Sequence, residues 1–546
     1  MKILDFIKNL FKKEKVKVII DKDFEFPVSL INAIINVKYA NHFALIPSNL
    51  DLDNHVERHP LVNYGFVEVN GKILTKNSNG NTGSLYDKNR MLHLIDLLNI
   101  IPANNKDSIS EDGFVSINSK VLRGYFKDYL SYLNYLVDTD IFISNNHYIV
   151  GKQSIGYKFA PQYENTELTA INYPGFNIEN IQPIQRIVYN SINENFQPNT
   201  LLDYPYLAHW YNQKLLDIDM TKATKYAYLL MRKKFNLGYE HWDVNRDKWS
   251  HERGDYCRKY PKTQYNAIIH NISSITIKDY RAKIDAKVYR LHSVITNMQK
   301  DYRNFLTYNG SQLISIDVSN SQPYLMCLLF NPSFWQANSG SLNIYHLPES
   351  IQNMFAPTHL DEIKSYVEAL EDNMISDYKQ KASEGIIYEH IRDMSNNQLG
   401  TNLNRDDAKV MMLIVFFSSN KFFNQTDALL KRLFAQLYPN IYGLIKLIKR
   451  NNHASFACLL QAIESEIILH KCCRRIWEEN NQQVPIFTIH DSISTTLRYR
   501  ELVRTVIQDE LTAIIGIPPC LKDEIWREEE LKHQDILAQI NQIRSQ

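Results

Sequence analysis

Hydrophobic residues recur at helical spacing in two stretches of the N-terminal half. RMLHLIDLLNII (90–101) is one, and the other begins after Ser116 or Asn118, either of which is a suitable helix cap. SNNHYIVGKQSIGYKFA then alternates apolar and polar residues around Gly151, which predicts two strands. Helix, helix and β-hairpin is the order of a winged-helix module, assigned to 86–160. Such a module contacts nucleic acid, contacts protein, or is purely structural.

Three further segments complete the predicted organisation. Residues 1–85 are mixed in character and begin with MKILDFIKNLFKKEKVKVII, which predicts a short amphipathic helix. Residues 161–284 predict a helical connector or thumb-like region. Residues 285–546 end in KDEIWREEELKHQDILAQINQIRSQ, which predicts a charged surface helix. The predicted fold class is α+β with several domains, because 546 residues exceed one ordinary core.

Two strand patterns in the C-terminal region each end at an aspartate. QLISIDVSNSQPYLM alternates until Asp317 and then starts a helical pattern, and PIFTIHDSISTT reaches Asp491 at the corner of a hairpin-like feature. Carboxylates on neighbouring strands form the oxygen-rich site that Mg²⁺ prefers. Two such ions can activate a hydroxyl and stabilise a leaving oxygen in phosphoryl transfer. Either aspartate alone is equally explained as a turn residue.

A helical pattern lies between the two aspartates. In NRDDAKVMMLIVFFSSN, four residues recur at every fourth position: Arg405, Lys409, Leu413 and Phe417. They therefore share one face of the helix. Two cations followed by an apolar residue and a ring match a nucleoside triphosphate, whose polyphosphate precedes its sugar and base. A buried helix with solvated ends gives the same pattern.

The charge of the chain is nearly balanced, so a polyanion requires a local basic patch. The formal net charge is +1, whereas residues 401–475 hold eleven Lys and Arg residues against five acidic ones, an excess of six. Six cysteines without a C-x-x-C pair indicate a reducing, cytoplasmic location. No apolar run has the length of a membrane span, so no membrane partner is expected.

The ordered motifs resemble those of single-subunit, family A-type nucleic-acid polymerases, which include DNA polymerase I-like enzymes and phage-type RNA polymerases. IDVSNSQPYLM resembles their first palm motif, RDDAKVMMLIVFF the nucleotide-binding helix of the fingers, and TIHDSIS the palm hairpin. VYRLHSVITNMQKDYRNFL, EGIIYEHI and LLQAIESEII are similar to further segments. The resemblance covers about 285–500 and implies a right-hand polymerase of palm, fingers and thumb, with a divergent N-terminal region.

The resemblance implies the roles of the metal-binding and phosphate-binding residues. Asp317, Asp491 and the Val318 backbone carbonyl would hold two Mg²⁺ ions, with Mn²⁺ as a substitute. Arg405 and Lys409 would hold the triphosphate. Lys409 would also donate a proton to pyrophosphate.

The resemblance also assigns residues to the nucleotide and the primer. Leu413 and Phe417 would pack on the incoming base and sugar, and Gln322 would contact the sugar region. The residues assigned to the primer terminus are Arg290, Gln461 and His490.

Departures from the family pattern leave the choice of sugar open. Gln322 stands where DNA polymerase I-like enzymes usually have Glu, and Ser492 follows Asp491 as in phage-type RNA polymerases. Leu413 replaces the Phe or Tyr usual in DNA polymerases. Phe417 replaces a Tyr whose hydroxyl helps the RNA polymerases to select ribose, which favours DNA synthesis.

The expected function is DNA replication: extension of a DNA primer-template with dNTPs. DFEF (Asp23–Glu25) lacks the partners of a proofreading exonuclease, so none is expected. One alternative is a phage-type DNA-directed RNA polymerase or primase-like enzyme that uses rNTPs. The other is a winged-helix replication initiator with an inactive polymerase-like half. A compact polymerase with its own N-terminal half suggests a mobile element by analogy, and the oligomeric state is left open.

Overall fold

The computed structural model describes ten ranges of the chain. They are residues 43–76, 80–105, 108–125, 127–148, 154–173, 201–239, 242, 248–250, 255–337 and 340–544. The predicted N-terminal helix, Asp23–Glu25 and Gly151 lie outside these ranges. Within them, no helix is both long and apolar enough to cross a membrane.

The described residues form two compact units. The first comprises those within Met1–Ser191, Met220–Ile277 and His533–Gln546, and the second those within Ile192–Asp219 and Lys278–Lys532. This division differs from the four consecutive segments expected from the sequence, because the chain passes between the units more than once. Each unit is α+β, as predicted for the fold class.

The first unit packs helices against small antiparallel sheets. Its longest helices are Lys88–Asn104, which follows the spacing predicted for 90–101, and Met220–Leu237 and Pro261–Thr276, which lie in the region predicted to be helical. Its other helices are Leu52–Arg58, Leu61–Tyr64, Ser119–Tyr125, Tyr129–Asp138, Pro161–Glu164 and Gln534–Arg544, and its strands are Phe43–Pro47, Val67–Val69, Lys72–Lys76, Thr82–Leu85, Val115–Ser116, Phe142–Ser144, Gly156–Phe159, Leu168–Asn172, Lys248–Ser250 and Asp255–Cys257.

The region 86–160 contains the predicted helices, and its second predicted strand forms as Gly156–Phe159, but the partner strand is Phe142–Ser144, which largely precedes the predicted alternating stretch. Asn118 begins the second helix, since its side chain accepts a hydrogen bond of 2.8 Å from the Lys120 N–H. The second helical pattern is divided in two before Tyr129–Asp138. The hairpin strands form a three-stranded sheet with a short strand, Val115–Ser116, that the sequence analysis missed.

The second unit is built around a six-stranded sheet and a group of helices. Its helices are Leu201–Asp203, Pro205–Asn212, Val294–Asn297, Lys300–Phe305, Ser321–Leu325, Met326–Phe330, Pro332–Trp335, Ile344–His346, Glu349–Gln352, Pro357–Glu368, Asp372–Met374, Ser376–Ser383, Ile387–Leu399, Arg405–Phe417, Thr426–Ala428, Leu429–Leu437, Pro439–Ile448, Ser455–Ser465, Glu466–Cys473, Arg474–Glu479, Leu497–Tyr499, Arg500–Ile515 and Glu528–Glu530. Its strands are Leu216–Ile218, Lys283–Ile284, Leu291–His292, Leu306–Tyr308, Ser311–Val318, Phe487–Ile489, Ser492–Thr496 and Leu521–Ile525.

The strand Ser311–Val318, here the central strand, positions the site. On one edge it pairs antiparallel with Ser492–Thr496, the second strand of a hairpin whose first strand is Phe487–Ile489. It also pairs antiparallel with Leu521–Ile525, here the outer strand. Its β-branched residues Ile314 and Ile316 are buried, as a strand covered by neighbours requires.

The outer strand corrects the prediction for the C-terminal stretch. KDEIWREEELKHQDILAQINQIRSQ was expected to form one helix, but Lys522–Ile525 lie in a strand and the helix is limited to Gln534–Arg544. The central strand offers unpaired backbone groups, and pairing with them outweighs the helix propensity of Lys and Glu, which tertiary context readily overrides. The apolar spacing of the stretch contained no information about that distant partner.

Candidate active site

Asp317 and Asp491 lie at adjoining ends of the central strand and the hairpin. The register pairs Asp317 with Ser492, the residue directly after Asp491. Asp491 occupies the second position of a two-residue turn between Ile489 and Ser492. His490, the first turn residue, has φ of +55°, a left-handed conformation that such hairpin turns require. The strand pairing therefore brings together two carboxylates that are far apart in sequence.

The two carboxylates disfavour each other's ionisation. Burial, and next the charge of Asp491, raise the pKa of Asp317 to about 7. Burial also raises the pKa of Asp491, against the effects of a hydrogen bond from Ser321 and the charges of Arg290 and Lys409. The surroundings of both acids therefore disfavour their ionised forms, although cations lie near each of them.

The Ser492 side chain forms hydrogen bonds inside the sheet. It lies on the same face as Asp317 and is 5% exposed. Its hydroxyl donates to the Ile489 carbonyl at 3.0 Å and accepts from Ser315 at 3.0 Å, and Ser494 donates to Ser315 at 3.1 Å. The hairpin thus places a neutral hydroxyl beside Asp317, and this hydroxyl is already hydrogen-bonded within the sheet. It supplies no further carboxylate at this position.

The helix Arg405–Phe417, here the cationic helix, forms as predicted. Asn404 begins it: the Asn404 side chain accepts from the Asp407 N–H at 3.0 Å, and the Asp407 carboxylate accepts from the Asn404 N–H at 2.8 Å. The opposite face is buried, whereas Leu413 is 45% and Phe417 42% exposed. The apolar part of the predicted face is therefore open to a ligand.

Lys409 and Arg405 have different surroundings. The charge of Lys409 favours the ionised form of Asp491, so this lysine lies near the paired acids. Arg405 is bound by Glu389 through its Nε and stacks over the Tyr388 ring, with 5.4 Å between the guanidinium carbon and the ring centroid. Tyr388 is 8% exposed, and burial raises its pKa to about 12. The sequence analysis assigned no role to Tyr388 or Glu389.

Arg290 also lies near Asp491 and forms a buried ion pair that was not foreseen. Its Nη2 lies 2.7 Å from Oε1 and 2.8 Å from Oε2 of Glu464. Burial raises the pKa of Glu464 to about 8, against the effect of Arg290. The available signal was an acid inside the apolar helix Ser455–Ser465, three residues after Gln461.

The remaining predicted residues have distinct environments. Gln322 is half-buried, and its Oε1 is buried without a hydrogen-bond partner among the described residues. Gln461 is half-buried on the helix that carries Glu464. The His490 ring lies 6.3 Å from the ring of His292. The Val318 side chain is buried at the end of the central strand.

Asp317 and Asp491 are a suitable set of protein ligands for Mg²⁺. The described residues contain no group of three or more His, Cys, Asp or Glu side chains arranged to hold a metal ion. Mg²⁺ usually binds through one or two carboxylates together with water and substrate phosphates. A divalent cation would also favour the ionised forms of both aspartates, whose pKa values burial raises.

Comparison with known proteins finds a distant structural likeness. No model of a protein family matches the chain, and no curated protein matches it in sequence. Among solved structures it is similar to one titled "POL domain of Pol1 from M. smegmatis complex with DNA primer-template and dNTP". That match has a TM-score of 0.28 and 9% identity, and covers 59% of this chain and 70% of the other. A likeness this distant assigns neither a family nor a site.

Proposed function

We propose that this chain is a template-directed nucleotidyltransferase, and specifically a DNA polymerase that extends a primer 3′-hydroxyl. The observation that carries the proposal is that Asp317 pairs with Ser492 and so lies next to Asp491, with Lys409 and Arg290 also near Asp491. Paired carboxylates beside fixed cations suit a reaction in which negative charge is transferred between phosphate oxygens.

The residues of the second unit would divide the work of phosphoryl transfer. Two Mg²⁺ ions held by Asp317, Asp491 and the Val318 carbonyl would supply activation of the attacking oxygen and stabilisation of the leaving one. Arg405 and Lys409 bind the triphosphate, and the Lys409 ammonium donates a proton to the departing pyrophosphate. The exposed face of the cationic helix packs on the base and sugar.

Binding of the triphosphate would place phosphate and Glu389 in competition for Arg405. In the structure its Nε donates to Glu389, which therefore occupies part of the guanidinium that phosphate would use. Phosphate offers the same forked geometry with greater charge, so the exchange is favourable. Glu389 would keep Arg405 ordered near Tyr388 until the nucleotide arrives.

DNA synthesis is favoured over RNA synthesis. Phe417 leaves the exposed face of the cationic helix without the hydroxyl that selects ribose in the resembling RNA polymerases. Ser492 follows Asp491 as in those enzymes, but its hydroxyl is hydrogen-bonded within the sheet. The presence of Ser at this position therefore has a structural explanation. We further propose that the enzyme lacks proofreading and belongs to a mobile element.

The module 86–160 is proposed to be structural. The exposed residues of its helix Tyr129–Asp138 are Leu130, Asn134 and Asp138, which include no cation. The buried Ser131 hydroxyl of the same helix donates to the Lys76 carbonyl at 2.8 Å and accepts from the Lys76 N–H at 3.1 Å. The strand Lys72–Lys76 therefore covers part of the helix that would otherwise enter a DNA groove.

Primer extension tests the proposed function. Wild type is expected to extend a primer on a DNA template with dNTPs in Mg²⁺, and Asp491→Asn should slow extension by about 100-fold or more because it removes one ligand charge. Asp361→Asn, the same change at an exposed helix position, is the control and should retain activity. Equal extension by wild type and Asp491→Asn would contradict the mechanism. Product with rNTPs alone would replace DNA synthesis by RNA synthesis.

A further inference from the structure

A cavity in the first unit shares no residue with the candidate active site. It adjoins the start of the helix Pro261–Thr276 and is partly open to solvent. Leu98, Val115 and Phe159 line it with apolar side chains. The polar side chains of its lining belong to Lys158, Glu164, Tyr260, Lys262, Thr263 and Asn266. All of these residues belong to the first unit.

The polar lining contains a buried cation and a buried acceptor that lack hydrogen-bond partners. Lys262 is 6% exposed, and no described residue accepts a hydrogen bond from its ammonium or forms an ion pair with it. The ammonium lies over the Tyr265 ring instead, 4.9 Å from its centroid. Asn266 is also 6% exposed, and its Oδ1 is buried without a hydrogen-bond partner among the described residues. Such groups are uncommon in native proteins and indicate a bound ion, ligand or water.

The start of the helix Pro261–Thr276 adds backbone donors at the same place. The N–H groups of Lys262 and Thr263 belong to its first turn, where N–H groups have no acceptor within the helix. Tyr260 at the N-cap provides no side-chain hydrogen bond, and the first turn contains no acidic residue. A helix start in this condition favours an anion, both through its N–H groups and through its dipole.

The charges of the lining leave an excess of positive charge at Lys262. Two lysines and one glutamate line the cavity, and Lys158 lies 3.8 Å from Glu164 while donating to the Asp112 carbonyl at 3.1 Å. Burial lowers the pKa of Lys262, against the charges of Glu167 and Glu164. A bound monoanion would compensate the charge of Lys262 and so reduce the cost of keeping this ammonium buried.

We propose that this cavity binds a phosphate group that retains a hydroxyl, supplied either by inorganic phosphate or by a nucleoside monophosphate. Lys262 and the first-turn N–H groups donate to the phosphate oxygens. The phosphate hydroxyl donates to Oδ1 of Asn266, the acceptor that otherwise lacks a partner. An ionised carboxylate has no hydroxyl to donate, so it would leave Asn266 unsatisfied. The site does not depend on the proposed polymerase activity.

Isothermal titration calorimetry of the full chain with inorganic phosphate tests the site, at pH 6, where the phosphate monoanion is abundant. Lys262→Met should weaken phosphate binding about tenfold or more, because a charge-assisted hydrogen bond is lost. Asn266→Leu should weaken it about three- to tenfold, because the phosphate hydroxyl loses its acceptor. Acetate should bind wild type more weakly than phosphate does.

A second buried lysine of the first unit supplies the matched control. Lys234 is 2% exposed, and its ammonium donates to Oε1 of Gln264 at 2.6 Å. Lys234→Met removes a buried charge of the same kind and should leave phosphate binding unchanged. Thermal unfolding of all three variants identifies any general loss of structure. If Lys262→Met fails to fold, the comparison of Asn266→Leu with wild type decides.

A nucleoside 5′-monophosphate in place of inorganic phosphate distinguishes the two sources. Only binding that Lys262→Met weakens is attributed to the cavity. Tighter binding of the nucleotide there assigns the cavity to a nucleotide, and equal or weaker binding assigns it to free phosphate; both results agree with the proposal. Equal, weak binding of phosphate and acetate that neither Lys262→Met nor Asn266→Leu changes would indicate an adventitious ion only and overturn it. The absence of measurable phosphate binding to wild type would overturn it as well.

Discussion

At the scale of single residues, the two aspartates proposed to bind metal also lower the stability of the folded protein when they are ionised. An ordinary aspartate ionises near pH 4, whereas burial and the charge of Asp491 raise the pKa of Asp317 to about 7. Because its folded pKa is above its unfolded value, ionisation of Asp317 costs stability. This cost begins as the pH rises through about 4 and is complete above about 7. Without a cation, the folded protein is therefore penalised at neutral pH for keeping both carboxylates.

The substitution Asp317→Asn should therefore stabilise the metal-free protein. We expect its melting temperature at pH 8 to exceed that of wild type by about 2–4 °C, and the difference should disappear as the pH falls towards about 4. Calorimetry or circular dichroism in EDTA measures this, with Asp361→Asn as the exposed control. A difference that is independent of pH would contradict the assigned cause. Saturating Mg²⁺ should reduce the difference, because only wild type retains both ligands.

At the scale of elements, two buried lysines stabilise the end of the cationic helix. The Lys431 ammonium donates to the Ser418 hydroxyl at 2.9 Å and to the Ser419 carbonyl at 2.8 Å. The Lys449 ammonium donates to the Val415 carbonyl at 2.8 Å. Amino groups at a helix C-terminus satisfy its free carbonyls by donating hydrogen bonds to them. They define the end of this helix, where the sequence FFSSN has no glycine.

The substitution Lys449→Met should have a pH-dependent cost. Burial, and next the charge of Lys431, lower the pKa of Lys449 to about 7, far below the value of about 10.4 in an unfolded chain. Lys449 therefore adds most stability above the unfolded pKa and progressively less as the pH falls to about 7. The loss in the free energy of unfolding caused by the substitution should therefore be about 1–2 kcal/mol larger at pH 9 than at pH 7. Denaturant unfolding checks this, with exposed Lys446→Met as the control.

At the scale of the whole molecule, the two units differ in their fitness for nucleic acid. The proposed chemistry lies entirely in the second unit, where residues 401–475 concentrate positive charge. In the first unit, the helix Tyr129–Asp138 exposes a narrow stripe with one acid and no cation. Phosphate contacts dominate DNA affinity, so this stripe contributes little to it.

Combined substitution of Leu130→Ala, Asn134→Ala and Asp138→Ala should therefore leave DNA binding intact. We expect the Kd for a primer-template duplex to remain within about twofold of wild type and its salt dependence to be unchanged. Fluorescence anisotropy across a salt series measures both quantities in the full chain. A tenfold loss would instead assign DNA contact to this helix and favour the winged-helix initiator.

The sequence alone determined the local elements of the second unit that carry the proposed chemistry. Alternating residues ending at Asp317, and the apolar run before Asp491, predicted the two strands because strand periodicity is local. The four-residue spacing from Arg405 predicted the cationic helix for the same reason. The positions of the two aspartates at strand ends also predicted that they would meet. That prediction assumed that the two strands, which are distant in sequence, are neighbours in the sheet.

Only the tertiary structure decided the partnerships between distant segments. Glu464 and Arg290 are 174 positions apart, and no periodicity indicates that a buried acid will meet a particular arginine. The outer strand was predicted to be helical because its pairing partner, the central strand, lies about 200 residues earlier. Local patterns specify which face of an element is buried. Which charges neutralise each other there depends on how the elements pack, and the chain settles that only when it folds.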